Sequence, residues 1–154
     1  NLEPGEAVAF LRRAHAALGD GSCFLMGADL RKDPSVLIPA YDDAAGVTAA
    51  FNRNLLVRLN REAGGACDPM AFQHRAIWND AESRIEMHLV SDKPQTVHLC
   101  GRTISFAANE SIHTENSYKY SVARLRALAE RSGWKLETSW TDKDAMFSVH
   151  ALRA

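Results

Sequence analysis

At 154 residues and 46% hydrophobic content, the chain is long enough for one domain, or for one small domain with part of another, around a real core. Its 18 lysines and arginines nearly balance 19 acids, leaving a formal charge of -1 with no block of like charge, which excludes a nucleic-acid footprint. The longest apolar runs fall far short of the roughly 20 residues of a membrane span, and Asn1-Leu-Glu-Pro4 does not begin a secretory signal, so the chain reads as cytoplasmic.

Residues 4 to 18 predict a helix, with Pro4 in the first turn, Glu6 at the positive end and Val8, Leu11, His15 and Leu18 at helical spacing. Gly19-Asp-Gly21 stops it. Cys23-Phe-Leu-Met-Gly-Ala28 is short and almost wholly apolar, the pattern of a strand buried on both faces of a parallel sheet, with Asp29 at its carboxyl end. A short helical segment ends near Tyr41. A longer helix runs from about Gly46 to Glu62, where Val47, Phe51, Leu55 and Leu59 form one i, i+4 row widened by Leu56. Asp42-Asp43 is placed to cap that helix.

Between Gln73 and Phe106 the period becomes two, with Ile85, Met87 and Leu89 on one side and Glu86 and His88 on the other. Turn-like Asn79-Asp-Ala-Glu-Ser83 and Cys100-Gly-Arg102 divide this stretch into antiparallel strands near 73 to 78, 84 to 91, 95 to 100 and 102 to 107. Val122, Leu125, Leu128 and Ala129 restore the helical period until Gly133, and Ser121 is a good N-cap. Two strands close the chain, Lys135 to Thr141 and Ala145 to Leu152, around a tight Asp142-Lys-Asp144 turn. An α/β layer thus occupies both ends, with a helix and a small antiparallel sheet inserted between them.

Cys23, Cys67 and Cys100 are odd in number and lack any C-x-x-C pair, which argues for free thiols. His15, His74, His88, His98, His113 and His150 show no H-x-x-x-H or H-x-E spacing, so no metal is expected, although His88 and His98 fit neighbouring strands. Trp78, Trp134 and Trp140 read as packing residues.

The densest concentration of polar chemistry is Ile112-His-Thr-Glu-Asn-Ser-Tyr-Lys-Tyr120, which sets a carboxylate, a hydroxyl and two phenols just before a helix. Taken with Ala40-Tyr-Asp-Asp-Ala-Ala-Gly46 and Ile85-Glu-Met-His-Leu89, it resembles the histidine-specific, S-adenosylmethionine-dependent methyltransferase family, whose members make trimethylated histidine for ergothioneine. The resemblance runs from Asn1 to Leu152 but covers only the family's C-terminal half. It implies an α/β fold with an α+β insertion: the last three strands of a class I methyltransferase Rossmann-like sheet, carrying a small substrate-binding domain. The implied boundaries are 1–31 and 121–154 for the methyltransferase part and 32–120 for the insertion, with strand 23 to 28 fifth in the sheet and the closing pair sixth and seventh, the last antiparallel.

By the same resemblance Asn1 and Tyr41 hold the carboxylate of the amino acid, Glu115 and Ser117 grip the imidazole ring, and Met87 lines the pocket. An amide N–H and a phenol O–H suit a carboxylate, and a carboxylate beside a hydroxyl reads both ring nitrogens of histidine. On their own residue types, Glu115 and Ser117 also fit a solvated turn and a helix cap, Tyr41 a helix-end packing residue, and Met87 ordinary core. Ala108-Asn-Glu110 stands where the family pattern has glycine before the glutamate; asparagine tolerates the left-handed backbone nearly as well.

No catalytic side chain and no cofactor ligand is assigned, because the glycine-rich loop and the ribose-binding acid fall outside the chain. The sequence opens on a helix signal without an initiating methionine and reads as part of something longer. S-adenosylmethionine would be bound mainly elsewhere, and the chain by itself is expected to be inactive. L-histidine is the expected partner; the alternatives are another amino acid, or a non-catalytic amino-acid-binding or assembly module. An unpaired apolar edge on strand 23 to 28 predicts a homodimer or swapped oligomer.

Overall fold

The computed structural model describes all 154 residues, which divide into two compact units. The first contains Asn1–Asp33, Asp80–Arg84 and Asn116–Ala154; the second contains Pro34–Asn79 and Ile85–Glu115. The fold is mixed α/β with three small antiparallel sheets. No helix is long and apolar enough to cross a membrane.

In the first unit, α1 (Pro4–Leu18) opens with a capping box: the Glu6 carboxylate accepts the Glu3 backbone N–H at 3.0 Å while Glu3 accepts in return. The chain then forms β1 (Cys23–Asp29), and after the second unit α4 (Val122–Arg131), β7 (Lys135–Thr141) and β8 (Phe147–Arg153) complete the layer. Ser121 caps α4 by accepting the Arg124 N–H at 3.2 Å. The sheet order is β1-β8-β7, with β8 antiparallel to both neighbours. Leu11, Leu125, Ala129, Trp134 and Leu152 fill the core between α1, α4 and the sheet. Trp134, 2% exposed, gives its indole N–H to the Leu11 carbonyl at 2.9 Å and meets the edge of His15, so both its apolar body and its polar tip are satisfied.

The expectation of a strand buried on both faces among parallel neighbours is not met within this chain. β1 pairs only with β8, and Leu25 is 67% exposed. Gly27 has a specific reason to be glycine: a Cβ there would lie 2.8 Å from the Phe147 ring, which rests on the strand at that point.

The second unit begins with α2 (Pro34–Tyr41) and α3 (Val47–Ala63). Asp43 accepts the backbone N–H groups of Val47 at 3.0 Å and Thr48 at 2.8 Å, and these bonds lower its pKa to about 2. β2 (Phe72–Asn79) and β3 (Arg84–Ser91) form one sheet with β6 (Ser111–Tyr118), and β4 (Gln95–Leu99) pairs with β5 (Arg102–Phe106). Leu56, Phe72, Leu89 and Val97 make one core cluster, and Leu37, Ala76, Ile85 and Met87 a second.

One expectation is met only in part here. Of the apolar row on α3, Leu56 is buried and Leu59 packs against its cluster, but Val47, Phe51 and Leu55 are exposed and Asn52 is buried in their stead. The motif segment, to which periodicity assigns no element, is strand β6 over residues 111 to 118, whose last residues fall in the first unit. The true turn precedes it, where Asn109 takes φ 65, the left-handed conformation expected of that position.

Candidate functional site

The first unit encloses a cavity of about 500 Å³ bounded by α1, β1, the end of β6 and α4. Apolar walls come from Phe10, Phe24, Met26 and Leu128, and polar groups from Asn1, Asp29, Ser117 and Tyr118. Asn1 and Ser117, which the motif reading placed at opposite ends of one ligand, therefore line the same cavity.

Register explains why Asp29 and Ser117 meet there. After β6 the chain adds a parallel bridge to the end of β1, Leu30 opposite Tyr120, with the Tyr120 N–H donating to the Asp29 carbonyl at 3.0 Å and the Arg31 N–H to the Tyr120 carbonyl at 2.9 Å. Lys119 lies between these strands with its side chain wholly buried, its ammonium 2.8 Å from Asp29 Oδ2 and donating to Ser117 Oγ at 2.8 Å. Lys32 pairs with the other Asp29 oxygen. Burial by itself would raise the Asp29 carboxyl, but the hydrogen bonds and charges of Lys119 and Lys32 outweigh it and hold the group below the usual carboxylate range.

A second polar group in the same unit surrounds Tyr118. Its hydroxyl donates to Glu3 Oε2 at 2.6 Å and accepts from Arg84 Nη1 at 2.6 Å, while Asn116 Nδ2 donates to Glu3 Oε1 at 2.8 Å. Burial, reinforced by the Glu3 carboxylate, raises the phenol's pKa. The guanidinium of Arg84 lies 5.4 Å from the Tyr118 ring centroid, and Arg124 lies within 6 Å of both the Tyr118 and Tyr120 rings. Tyr118 is thereby fixed as part of the cavity wall.

Tyr41, Met87 and Glu115 belong to the second unit. Tyr41 and Met87 pack together in the apolar cluster around Leu37, Ala76 and Ile85, with Met87 buried. The Tyr41 carbonyl accepts from His74 Nε2 at 2.8 Å, and His74 Nδ1 accepts from Asn52 Nδ2 at 3.0 Å, which holds the ring from both sides. Asn52 Nδ2 also donates to the His88 carbonyl at 3.2 Å. Glu115 lines a smaller cavity of about 180 Å³ with Thr114 and the α3 residues Asn54, Leu55 and Arg58. Thr114 Oγ1 donates to the Met87 carbonyl at 2.9 Å, tying the motif strand to the residue before His88.

Glu86, His88 and His113 place three ligand-type atoms within 4.8 Å of one another. Glu86 accepts from Asn79 Nδ2 at 2.9 Å and from His88 Nε2 at 3.3 Å. The two imidazoles are stacked at 18°, with centroids 4.6 Å apart. Lone pairs lie in the ring plane, so an ion in the plane of one ring lies outside that of the other, and the arrangement does not converge on one ion. It is a stack of one exposed and one largely buried ring, steadied by a carboxylate.

The sequence matches the family described as "Histidine-specific methyltransferase, SAM-dependent" over residues 1–154. The chain belongs to that family. It is 41% identical over 151 residues to the histidine N-alpha-methyltransferase of Mycobacterium tuberculosis (strain CDC 1551 / Oshkosh), across 97% of this chain and 47% of that protein. The histidine N-alpha-methyltransferase of Mycolicibacterium smegmatis gives the same identity and coverage. The chain thus spans about half the length of the curated relatives it matches. Among solved structures, the CcbJ methyltransferase from Streptomyces caelestis aligns with a TM-score of 0.41 and 14% identity, over 99% of this chain and 51% of that one.

Family membership implies S-adenosylmethionine, yet the residues present do not form a nucleotide cradle. The strands that lead into helices, β1 through Asp29-Leu-Arg-Lys-Asp-Pro34 and β6 through Lys119-Tyr-Ser121, both lack the closely spaced glycines that let backbone approach a nucleotide. No step is therefore derived through the methyl donor. Sequence reasoning missed Lys119 and the Asn52–His74 pair. The period-two spacing of Ser117 and Lys119 on either side of Tyr118 was the available signal for the former; nothing in the sequence signalled the latter.

Proposed function

We propose that this chain is the substrate-recognition part of an S-adenosylmethionine-dependent enzyme that methylates the α-amine of L-histidine, carrying it to trimethylhistidine as in ergothioneine formation. The observation that carries the reading is the Thr114-Glu-Asn-Ser117 motif on β6, with Glu115 on the smaller cavity and Ser117 on the larger, in a chain 41% identical to proteins named histidine N-alpha-methyltransferase. The closing β1-β8-β7 sheet, with its last strand antiparallel, supports a place at one end of a class I methyltransferase sheet, with residues 32–120 as the substrate-binding insertion.

In this reading Asn1 and Tyr41 donate hydrogen bonds to the substrate carboxylate, Glu115 accepts an imidazole N–H, Ser117 meets the other ring nitrogen, and Met87 backs the pocket wall that Tyr41 leans on. The methyl donor supplies an electrophilic carbon on a sulfonium. The task left to these residues is to hold histidine at both ends, so that its unprotonated α-amine is aimed and water is displaced. Fixing the substrate in this way accounts for several kcal/mol of such a barrier, roughly 7 in favourable cases.

The test is mass spectrometry of amino-acid products from the full-length protein, with this chain in parallel, given S-adenosylmethionine and a mixture of the common amino acids. Methylated histidine from the full-length protein alone is the expected result. Methylation of a different amino acid would move the substrate, and no methylated amino acid at all would favour a binding or assembly module. The Glu115→Ala variant should lose about 1.5 to 3 kcal/mol of histidine selectivity as a charge-assisted bond disappears. An unchanged preference for histidine in that variant would refute the role of Glu115.

A further inference from the structure

A lysine is almost never fully buried unless its charge is paired, and an apolar residue of like volume commonly does as well or better where only stability is at stake. Lys119 is fully buried, and its surroundings are organised around it. Its backbone N–H donates to the Ser83 carbonyl at 2.8 Å and its carbonyl accepts from Ser83 Oγ at 3.0 Å, so the turn at 80 to 84 clamps the residue from both sides. Ser83 adopts φ 56 to make this clamp, a conformation that costs energy for a residue with a Cβ. From that fixed backbone the ammonium reaches Asp29 and Ser117, each at 2.8 Å. Asp29 and Ser117 line the 500 Å³ cavity, whereas Lys119 has no surface in it.

We propose that Lys119 is a positioning residue for substrate recognition: anchored by Asp29 and the Ser83 turn, it holds the Ser117 hydroxyl in the orientation that meets the imidazole ring, without touching substrate itself. This rests on the proposed function and deepens it. A serine side chain has three rotamers, and an ammonium that occupies one of its lone pairs leaves one preferred placement of the oxygen. Without that anchor the hydroxyl must be ordered at the expense of binding. The effect is therefore read first in histidine affinity, and any loss of aim in the Lys119 variant should match that of the Ser117 variant.

The experiment is a double-mutant cycle in the full-length protein, read as histidine affinity by isothermal titration calorimetry and as KM and kcat by product mass spectrometry. Lys119→Met keeps length and volume, and Lys32 remains to pair Asp29. Each of Lys119→Met and Ser117→Ala should weaken histidine binding about tenfold, and the two should change kcat at saturating histidine by the same factor. The double variant should be no weaker than Ser117→Ala alone, because Lys119 has nothing left to position. Losses that multiply, near 100-fold in the double variant, would overturn the proposal, as would wild-type affinity in Lys119→Met. Where Lys119→Met fails to fold, Asp29→Asn removes the anchor's charge while keeping the lysine, and must show the same non-additivity with Ser117→Ala. A wild-type protein that neither binds nor methylates histidine overturns the proposed function and this inference together; a wild type that does both, with multiplying losses, overturns only this one.

Discussion

Replacing Asn52 by alanine should cost the second unit about 2 to 4 kcal/mol. Asn52 is 4% exposed, and its side-chain amide is the donor to both His74 Nδ1 and the His88 carbonyl. The variant leaves two buried acceptors without that partner, each at about 1 to 3 kcal/mol, with partial relief if water enters the space. For a unit of this size melting cooperatively, such a loss lowers the midpoint by at least about 8 °C. Urea and thermal unfolding followed by circular dichroism measure it, and amide exchange along β3 should speed up in the same variant. Asn52→Asp separates shape from chemistry: it keeps the outline but removes the donor, and at pH 8 it should lose at least as much as alanine. An aspartate variant as stable as wild type, or an alanine variant within about 0.5 kcal/mol of it, would refute the account of Asn52 as a buried double donor.

The pH dependence of the first unit should carry a signature of His150. Its wholly buried ring accepts from Ser139 Oγ and donates to Ser148 Oγ, both at 2.8 Å, while Ser148 donates onward to the Ala28 carbonyl, and burial lowers its pKa. A histidine held neutral contributes no penalty above its unfolded pKa of about 6.5, and stability falls as pH drops from there through the depressed folded value. The melting temperature should therefore decline between pH 7 and 5, and less steeply in His150→Gln; parallel slopes would count against the assignment. Ser121→Ala removes the α4 cap and should cost about 1 kcal/mol in urea unfolding, with no measurable change signifying that the Arg124 N–H finds water equally well.

Periodicity made most of the elements legible, because α1, α4 and the strand pairs each bury one face of an amphipathic pattern. It failed at α3, where the apolar row of Val47, Phe51 and Leu55 faces outward and the polar Asn52 is interior. Hydrogen bonding, not hydropathy, draws Asn52 inward, and no single-residue scale registers a partner 22 positions away. β6 was illegible for a related reason: Ile112 to Ser117 offers polar groups on both sides of the strand, so no period-two hydropathy pattern marks it. The motif residues were recognisable by type and order. Their supports, Lys119 beneath Ser117 and His74 beneath the Tyr41 carbonyl, follow from tertiary contacts alone.

The contact of Phe147 with the bare backbone at Gly27 has an evolutionary reading. The two positions lie on paired strands, two residue pairs apart in register, and they share a single volume. A side chain at 27 can be accommodated only if the ring at 147 shrinks or turns away, so changes at these positions should arise together. An alignment of sequences with this fold should show 27 and 147 co-varying, glycine accompanying the aromatic ring and larger residues accompanying its loss.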